Sequence, residues 1–155
     1  MKGFPCTVFS ENVTETERIG KRFGEALLAH GRADAFLAID GDLGAGKTAF
    51  VRGLAEAVTP GAPVCSPTYT LVNEYRGGGR RLCHFDFYRV ESEEDLLSIG
   101  FYDYTDGMIA AEWCEKIEEA LPLPRFVLKI EKLGEESRRL TFEYLPAEGE
   151  EEEPW

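Results

Sequence analysis

Basic side chains are scarce: 17 Lys and Arg stand against 29 Asp and Glu, for a formal net charge of −12. Affinity for an RNA or DNA backbone comes mainly from Lys and Arg displacing counterions, so this balance opposes direct nucleic-acid binding and excludes DNA as an expected partner. Any role in nucleic-acid metabolism is expected to run through a partner protein. The chain has 4 Cys and 2 His, with no C-x-x-C pair and no His at zinc-finger spacing, which argues against a metal or disulfide framework. Four buried thiols in a reducing cytosol is the expectation. No apolar run is long enough to span a bilayer, and Met1-Lys2-Gly3-Phe4-Pro5 lacks the apolar stretch of a signal peptide, so a cytoplasmic location without a membrane partner is expected.

What remains is enough chain for one ordinary domain with a substantial core, expected over residues 1–146. Five of the last eight residues are Glu, and 147–155 reads as an acidic, solvated, disordered tail. Gly41-Asp42-Leu43-Gly44-Ala45-Gly46-Lys47-Thr48 fits G-x-x-x-x-G-K-[ST], a loop that cradles phosphates. It follows the strand-like run 35–39 and precedes a run in which Phe50, Val51, Leu54, Ala55 and Val58 recur at helical spacing. Strand, glycine loop and helix therefore come in the order that nucleotide binding requires.

Along the rest of the chain, residues 7–10 read as an edge strand, and Thr14-Glu15-Thr16-Glu17 as a capping box for a helix reaching His30. Residues 69–75 and 81–88 are β-rich runs joined by Arg76-Gly77-Gly78-Gly79-Arg80, a hairpin with a mobile tip. Ser92 caps a short helix ending near Gly100, 108–111 is a buried run, and 115–121 reads as a short helix stopped by Pro122 and Pro124. Two strands, 126–131 and 139–145, close the chain. The pattern predicts an α/β fold, a three-layer sandwich with a mostly parallel central sheet and antiparallel edge strands, of the kind that binds ligands beyond the carboxyl ends of its strands.

The loop glycines allow backbone N–H groups to converge on phosphates, Lys47 supplies a mobile charge to the β- and γ-phosphates, and the Thr48 hydroxyl is placed to ligate Mg²⁺. Alternation puts Leu82, His84 and Asp86 on one side of a strand, so Asp86 emerges where the Mg²⁺-holding Asp of such enzymes belongs; the competing reading is a solvated turn residue. Glu112 closes the apolar run 108–111 and needs a cation or strong donors to offset its desolvation, unless it simply reaches solvent. Trp113 is either core or stacked near a nucleotide. Ser66-Pro67-Thr68-Tyr69-Thr70 resembles a switch segment that senses the γ-phosphate. Arg76, Arg80 and Arg81 are either a solvated hairpin tip or a contact for an acidic partner or RNA.

Taken together, GDLGAGKT at 41–48, SPTYT at 66–70, HFDFYR at 84–89 and AEW at 111–113 closely resemble the TsaE (YjeE) family, in both order and spacing. Those proteins are bacterial ATPases that support synthesis of threonylcarbamoyladenosine beside the anticodon of tRNAs reading codons that begin with A. The resemblance implies an ATP and Mg²⁺ site built from Gly44, Ala45, Gly46, Lys47, Thr48 and Ala49, with Thr48 and Glu112 as metal contacts, Asp86 as the Walker B carboxylate, and Thr68 and Trp113 near the nucleotide. It further implies docking on a TsaD and TsaB pair that makes the modified base, hydrolysis that resets this complex, and contact with tRNA only through it. Two other readings fit the loop. A small-molecule kinase would want an arginine-bearing lid, for which only 76–81 could serve, and a non-catalytic assembly factor would use ATP as a structural ligand. No N-K-x-D sequence is present to read guanine.

Overall fold

The computed structural model describes residues 3–155; Met1 and Lys2, part of the opening read as lacking a signal peptide, lie outside the described residues. Phe36–Asp40 (β2), Arg80–Asp86 (β4) and Met108–Glu112 (β5) are short runs that bury nearly every side chain. Such runs belong in the middle of a sheet covered on both faces. β2 pairs in parallel with β5 and with Arg125–Lys132 (β6), and β5 pairs in parallel with β4. The flanks are antiparallel: Cys6–Ser10 (β1) on Arg138–Leu145 (β7), β7 on β6, and Val72–Gly77 (β3) on β4. The result is an α/β fold with one seven-stranded mixed sheet, ordered β1-β7-β6-β2-β5-β4-β3.

Strand alternation divides the core between the two faces. Leu37 and Ile39 point to the face covered by Val13–Ala29 (α1) and Lys47–Val58 (α2). Phe36 and Ala38 point to the other, where Glu93–Ser98 (α3) and the 3₁₀ turns Phe101–Tyr104 and Glu118–Ala120 pack. On the first face the ring of Phe23 lies 5.0 Å from Phe142 and 5.4 Å from Phe126. Each such buried ring contributes roughly 1.5–3 kcal/mol.

α1 and α2 meet almost backbone to backbone. A Cβ on Gly53 of α2 would lie 1.8 Å from the Glu17 carbonyl oxygen, and one on Gly20 of α1 would lie 2.2 Å from that of Phe50. Only glycine permits this approach, and it fixes the helix that begins at the glycine loop against its neighbour. The carboxyl ends of β2, β4 and β5 reach the same side of the sheet, so Asp86 stands opposite Glu112 in register and Ile39 opposite Glu112 on the other flank.

Several local expectations are corrected. The cap of α1 is Asn12, whose Oδ1 accepts the Glu15 N–H at 2.9 Å, while Glu15 Oε2 accepts the Glu11 N–H at 2.7 Å. Asn is the better N-cap and lies two residues before Thr14, so the helix starts at Val13 and Glu17 is left free to pair with Arg52 at 2.8 Å. Within 115–121 only the 3₁₀ turn Glu118–Ala120 forms, because so short a segment, stopped by Pro122, cannot propagate a helix. The hairpin tip is a tight two-residue turn, Gly78-Gly79 at φ 57° and 74°, rather than a loop over 76–80.

Of the thiols, Cys83 and Cys114 are buried, Cys6 is half-buried and Cys65 is exposed. Burial pushes the Cys83 thiol up to about 11. The acidic end is not wholly solvated: Glu151, Glu152 and Glu153 are exposed, yet Pro154 is buried and its carbonyl accepts from Arg32 Nη2 at 3.2 Å. Trp155 stacks on His30 at 4.6 Å and meets the edge of Phe4 at 5.5 Å, so apolar contact draws the chain's end onto the sheet. No helix among the described residues is long and apolar enough to cross a membrane.

Because the α1–α2 contact has no room for a side chain, Gly53→Ala should lower stability by about 2–3 kcal/mol or more. Urea unfolding followed by circular dichroism checks this, and an unchanged midpoint would mean that the helices separate without cost.

Candidate phosphate-binding site

The loop between β2 and α2 turns at Gly44 and Gly46, with φ of 76° and 108°, values that favour glycine. Gly46 is the N-cap position of α2 and supplies no side-chain cap, and the first turn carries no acidic residue. The unsatisfied N–H groups and the positive end of the helix dipole therefore face a place suited to an anion.

Lys47 is the first residue of α2, and its side chain is only 7% exposed. Its Nζ donates to the Gly41 carbonyl at 2.7 Å, lies 3.3 Å from Glu112 Oε1, and stands 4.4 Å from the centre of the Trp113 ring. Glu112, equally buried, has its other oxygen 2.8 Å from Nε2 of His84. That approach is off the line of the ring N–H, and neither His84 nitrogen has a directed hydrogen bond among the described residues. Burial by itself pushes the Glu112 carboxyl up, but His84 and Lys47 together outweigh it and hold the group below its ordinary value. For Asp86 the balance is reversed. Burial raises it, aided by the Glu112 charge, and the Tyr88 N–H bonded to Oδ1 at 2.9 Å offsets this only in part.

Beside this cluster is a cavity of about 490 Å³, lined by Thr68, Asp86 and Trp113 together with Leu43, Tyr69 and Tyr88 among others. Tyr88 meets Trp113 edge-on at 5.3 Å. Leu71, another residue of its wall, and Trp113 are the two non-glycine residues with positive φ among those described, at 68° and 60°. Backbone held this way costs of order 1–3 kcal/mol and collects where binding or chemistry requires it.

Lys47, Glu112 and Trp113 are thus in direct contact; Thr68, Asp86 and Trp113 share one cavity; Thr48 and Ala49 follow Lys47 on the first turn of α2. Ser66 Oγ and Thr68 Oγ1 are 2.7 Å apart, which ties that segment into a local turn. The arginines of the hairpin are elsewhere. They belong to the starting end of β4, opposite the glycine loop, where Arg81 pairs with Asp106, Arg76 with Glu74 at 2.6 Å, and Arg80 donates to the Val58 carbonyl at 2.9 Å. Sequence reasoning gave no role to His84, although the alternation that placed Asp86 also places His84 on the same side. Arg138, bonded to the loop carbonyls of Gly44 and Ala45, carried no signal in the sequence.

These features define an α/β protein with a glycine loop, a candidate anion site, at the carboxyl edge of its parallel strands. The family model described as "Threonylcarbamoyl adenosine biosynthesis protein TsaE" matches residues 10–140. The relative named "tRNA threonylcarbamoyladenosine biosynthesis protein TsaE" from Bacillus subtilis strain 168 is 38% identical over 131 residues, 84% of this chain and 80% of its own. That of the same name from Haemophilus influenzae is 41% identical over 117 residues, 74% of each. The crystal structure of YdiB from Bacillus subtilis superposes with a TM-score of 0.65 at 30% identity, covering 88% of this chain and 83% of that one. The chain belongs to the TsaE family.

Glu112→Gln keeps the shape but removes the charge that Lys47 and His84 face, and should cost about 1–3 kcal/mol at neutral pH. A carboxyl held below its ordinary 4.5 stabilises the fold fully above that value and loses this contribution as pH falls through the lower folded-state value. The stability gap between wild type and variant should therefore be constant from pH 7 to about 5 and close below about 4.5. Urea titrations across pH 7 to 3 measure it; a gap that widens in acid would refute the assignment.

Proposed function

We propose that this protein is a P-loop ATPase of the three-layer class that supports threonylcarbamoyladenosine modification of tRNA, binding ATP with Mg²⁺ and docking on a TsaD–TsaB pair. The observation that carries the reading is the junction of an uncapped α2 N-terminus, two left-handed loop glycines and a buried Lys47 beside two carboxylates at one sheet edge. Family membership adds the pathway for which the relatives are named.

The donors suit the ligands. Phosphate oxygens are acceptors, and the loop offers N–H groups and an ammonium. Among the described residues no three His, Cys, Asp or Glu side chains are arranged to cage a metal. Mg²⁺ needs no such cage, since it keeps several waters and is held by one or two carboxylates together with substrate phosphates. Thr48, Asp86 and Glu112 are the residues that would hold it, and it would neutralise charge on the transferring phosphoryl group.

Lys47 is poised to exchange its Glu112 and Gly41 partners for the β- and γ-phosphates, which frees a Glu112 oxygen for metal or water. In hydrolysis the water oxygen bonds to the γ-phosphorus as the bond to the β–γ bridging oxygen breaks, giving ADP and phosphate. The cavity at Thr68, Asp86 and Trp113 adjoins this centre and gives the switch-like segment a place to respond to a docked partner. The kinase reading is weaker, because the arginine-bearing hairpin at 76–81 that would serve as its lid lies at the far end of the sheet.

Lys47→Ala should reduce ATP affinity by at least about a hundredfold with the fold retained. Calorimetric ATP titration and circular dichroism on one sample decide it, and unchanged affinity would sink the P-loop assignment. The isolated chain should hydrolyse ATP poorly and speed up when TsaD and TsaB are added, with Thr68→Ala losing more stimulation than ATP affinity. Turnover assays with and without the pair test this. Brisk hydrolysis by the isolated chain, or stimulation untouched by the substitution, would count against partner gating. Single- against multiple-turnover tRNA modification, with ATP or a non-hydrolysable analogue, separates a resetting ATPase from an assembly factor.

A further inference from the structure

Four charged residues of the described chain are buried: Lys47, Asp86, Glu112 and Arg138. The first three meet at the site above. Arg138 opens β7, opposite Lys132 of β6 and Ser10 of β1 in register, and is 9% exposed. Its guanidinium donates only to carbonyl oxygens. Nε reaches Ala45 at 2.8 Å and Nη2 reaches Gly44 at 3.3 Å, both in the glycine loop. Nη1 is shared by Ser137 at 2.9 Å and by Gly134 and Glu135, each at 3.2 Å, in the β6–β7 turn. No carboxylate forms an ion pair with it among the described residues.

Two consequences follow from elementary geometry and charge. A trans peptide points its N–H opposite to its C=O, so gripping the carbonyls of Gly44 and Ala45 from outside turns the N–H groups of Ala45 and Gly46 away from the guanidinium. The Ala45 N–H is used within the loop, on the Asp42 carbonyl at 2.9 Å, and the Gly46 N–H is held beside the first turn of α2. A carbonyl partner also leaves the guanidinium's charge uncancelled, in surroundings where screening by water is weak. Lys132 adds to the same field, its Nζ lying 3.2 Å from where a Cβ on Gly44 would be.

We propose that Arg138 is a positioning residue of the phosphate loop: from the β6–β7 turn it holds the Gly44 and Ala45 carbonyls, which keeps the loop's turn in place and aims the Gly46 N–H at the phosphate position, and it backs them with an unpaired positive charge. This rests on the nucleotide reading above. Arg138→Met removes fork and charge at similar length; Arg138→Lys keeps the charge and loses the fork. The affinities of wild type and both variants for Mg-ADP and Mg-ATP, measured by calorimetry at two salt concentrations beside thermal unfolding, test it.

Arg138→Met should bind both nucleotides about 10- to 100-fold more weakly, the range for losing hydrogen bonds to a charged group. Arg138→Lys should recover part of that loss, and the salt dependence of binding should be shallower in the methionine variant alone. Amide hydrogen exchange at residues 44–47 should rise in both variants without nucleotide. A folded Arg138→Met that binds within about twofold of wild type, even with a lower melting temperature, makes Arg138 a mere turn staple and overturns the inference. If the methionine variant does not fold, Arg138→Lys binding as wild type does, with unchanged loop exchange, overturns it. Wild type binding neither nucleotide would bring down the nucleotide reading itself, an outcome distinct from the other two.

Discussion

The burial of the Lys47 ammonium is the constraint on which the site depends. Removing an ammonium and a carboxylate from water costs several kcal/mol each, and their attraction repays this only when the remaining hydrogen-bonding capacity is also met. Here the Gly41 carbonyl, the Trp113 ring and the Glu112 carboxylate share the ammonium, while His84 lies against the second carboxylate oxygen. The arrangement ties together the loop, the first turn of α2, the end of β5 and the middle of β4. It also accounts for the backbone at Trp113: an extended strand would carry that residue past the ammonium, whereas the left-handed turn at its φ of 60° places the ring over it.

Such a cluster is useful only if α2 cannot drift relative to β4 and β5. The glycine contact between α1 and α2 supplies that rigidity, since helices touching at Gly20 and Gly53 have no side chains through which to slide. The aromatic core beneath them, with Phe23, Phe50 and Phe142 within 6.1 Å of one another, sets the same helices on the sheet. Arg138 performs the matching task on the other flank of the loop, binding it to the β6–β7 turn. The glycine loop is thus held from the helix side and from the sheet edge, and the cavity at Thr68 and Trp113 is left as the open approach.

What could be read from the chain divides by the range of the interaction responsible. The strand, glycine loop and helix around Lys47 were legible because their signals lie within neighbouring residues, and so was the β4 alternation that sets Asp86 on its face. The burial of Glu112 was legible as a conflict, a carboxylate ending an apolar run, though its partners were not. The pairing of Glu112 with Lys47 spans 65 positions, and only the parallel register of β2 and β5 brings the two together. Arg138 was invisible for the same reason: an Arg beside Arg139 at a strand start has no local mark, and its five acceptors are backbone atoms of two separate turns. The misplaced α1 cap was a failure of ranking, because Thr14-x-x-Glu17 and Asn12-x-x-Glu15 both fit the pattern and only the stronger cap is used.

A net charge of −12 stands against a candidate anion site, and the layout of charge reconciles the two. At physiological ionic strength exposed charges are screened beyond about 8 Å, so the glutamates of the far surface and the acidic end act weakly on a phosphate at the loop. Lys47 and Arg138 are buried, and water screens them much less. Lys47 pairs with Glu112, and no carboxylate pairs with Arg138 among the described residues, so two weakly screened cations stand at the loop within an acidic protein. On the proposed function, an arriving phosphate would take Lys47 from Glu112 and leave that carboxylate facing His84, at a place where metal or water would be wanted. On that reading, the ion pair that holds the buried lysine is also the one whose exchange would set up the carboxylate for chemistry.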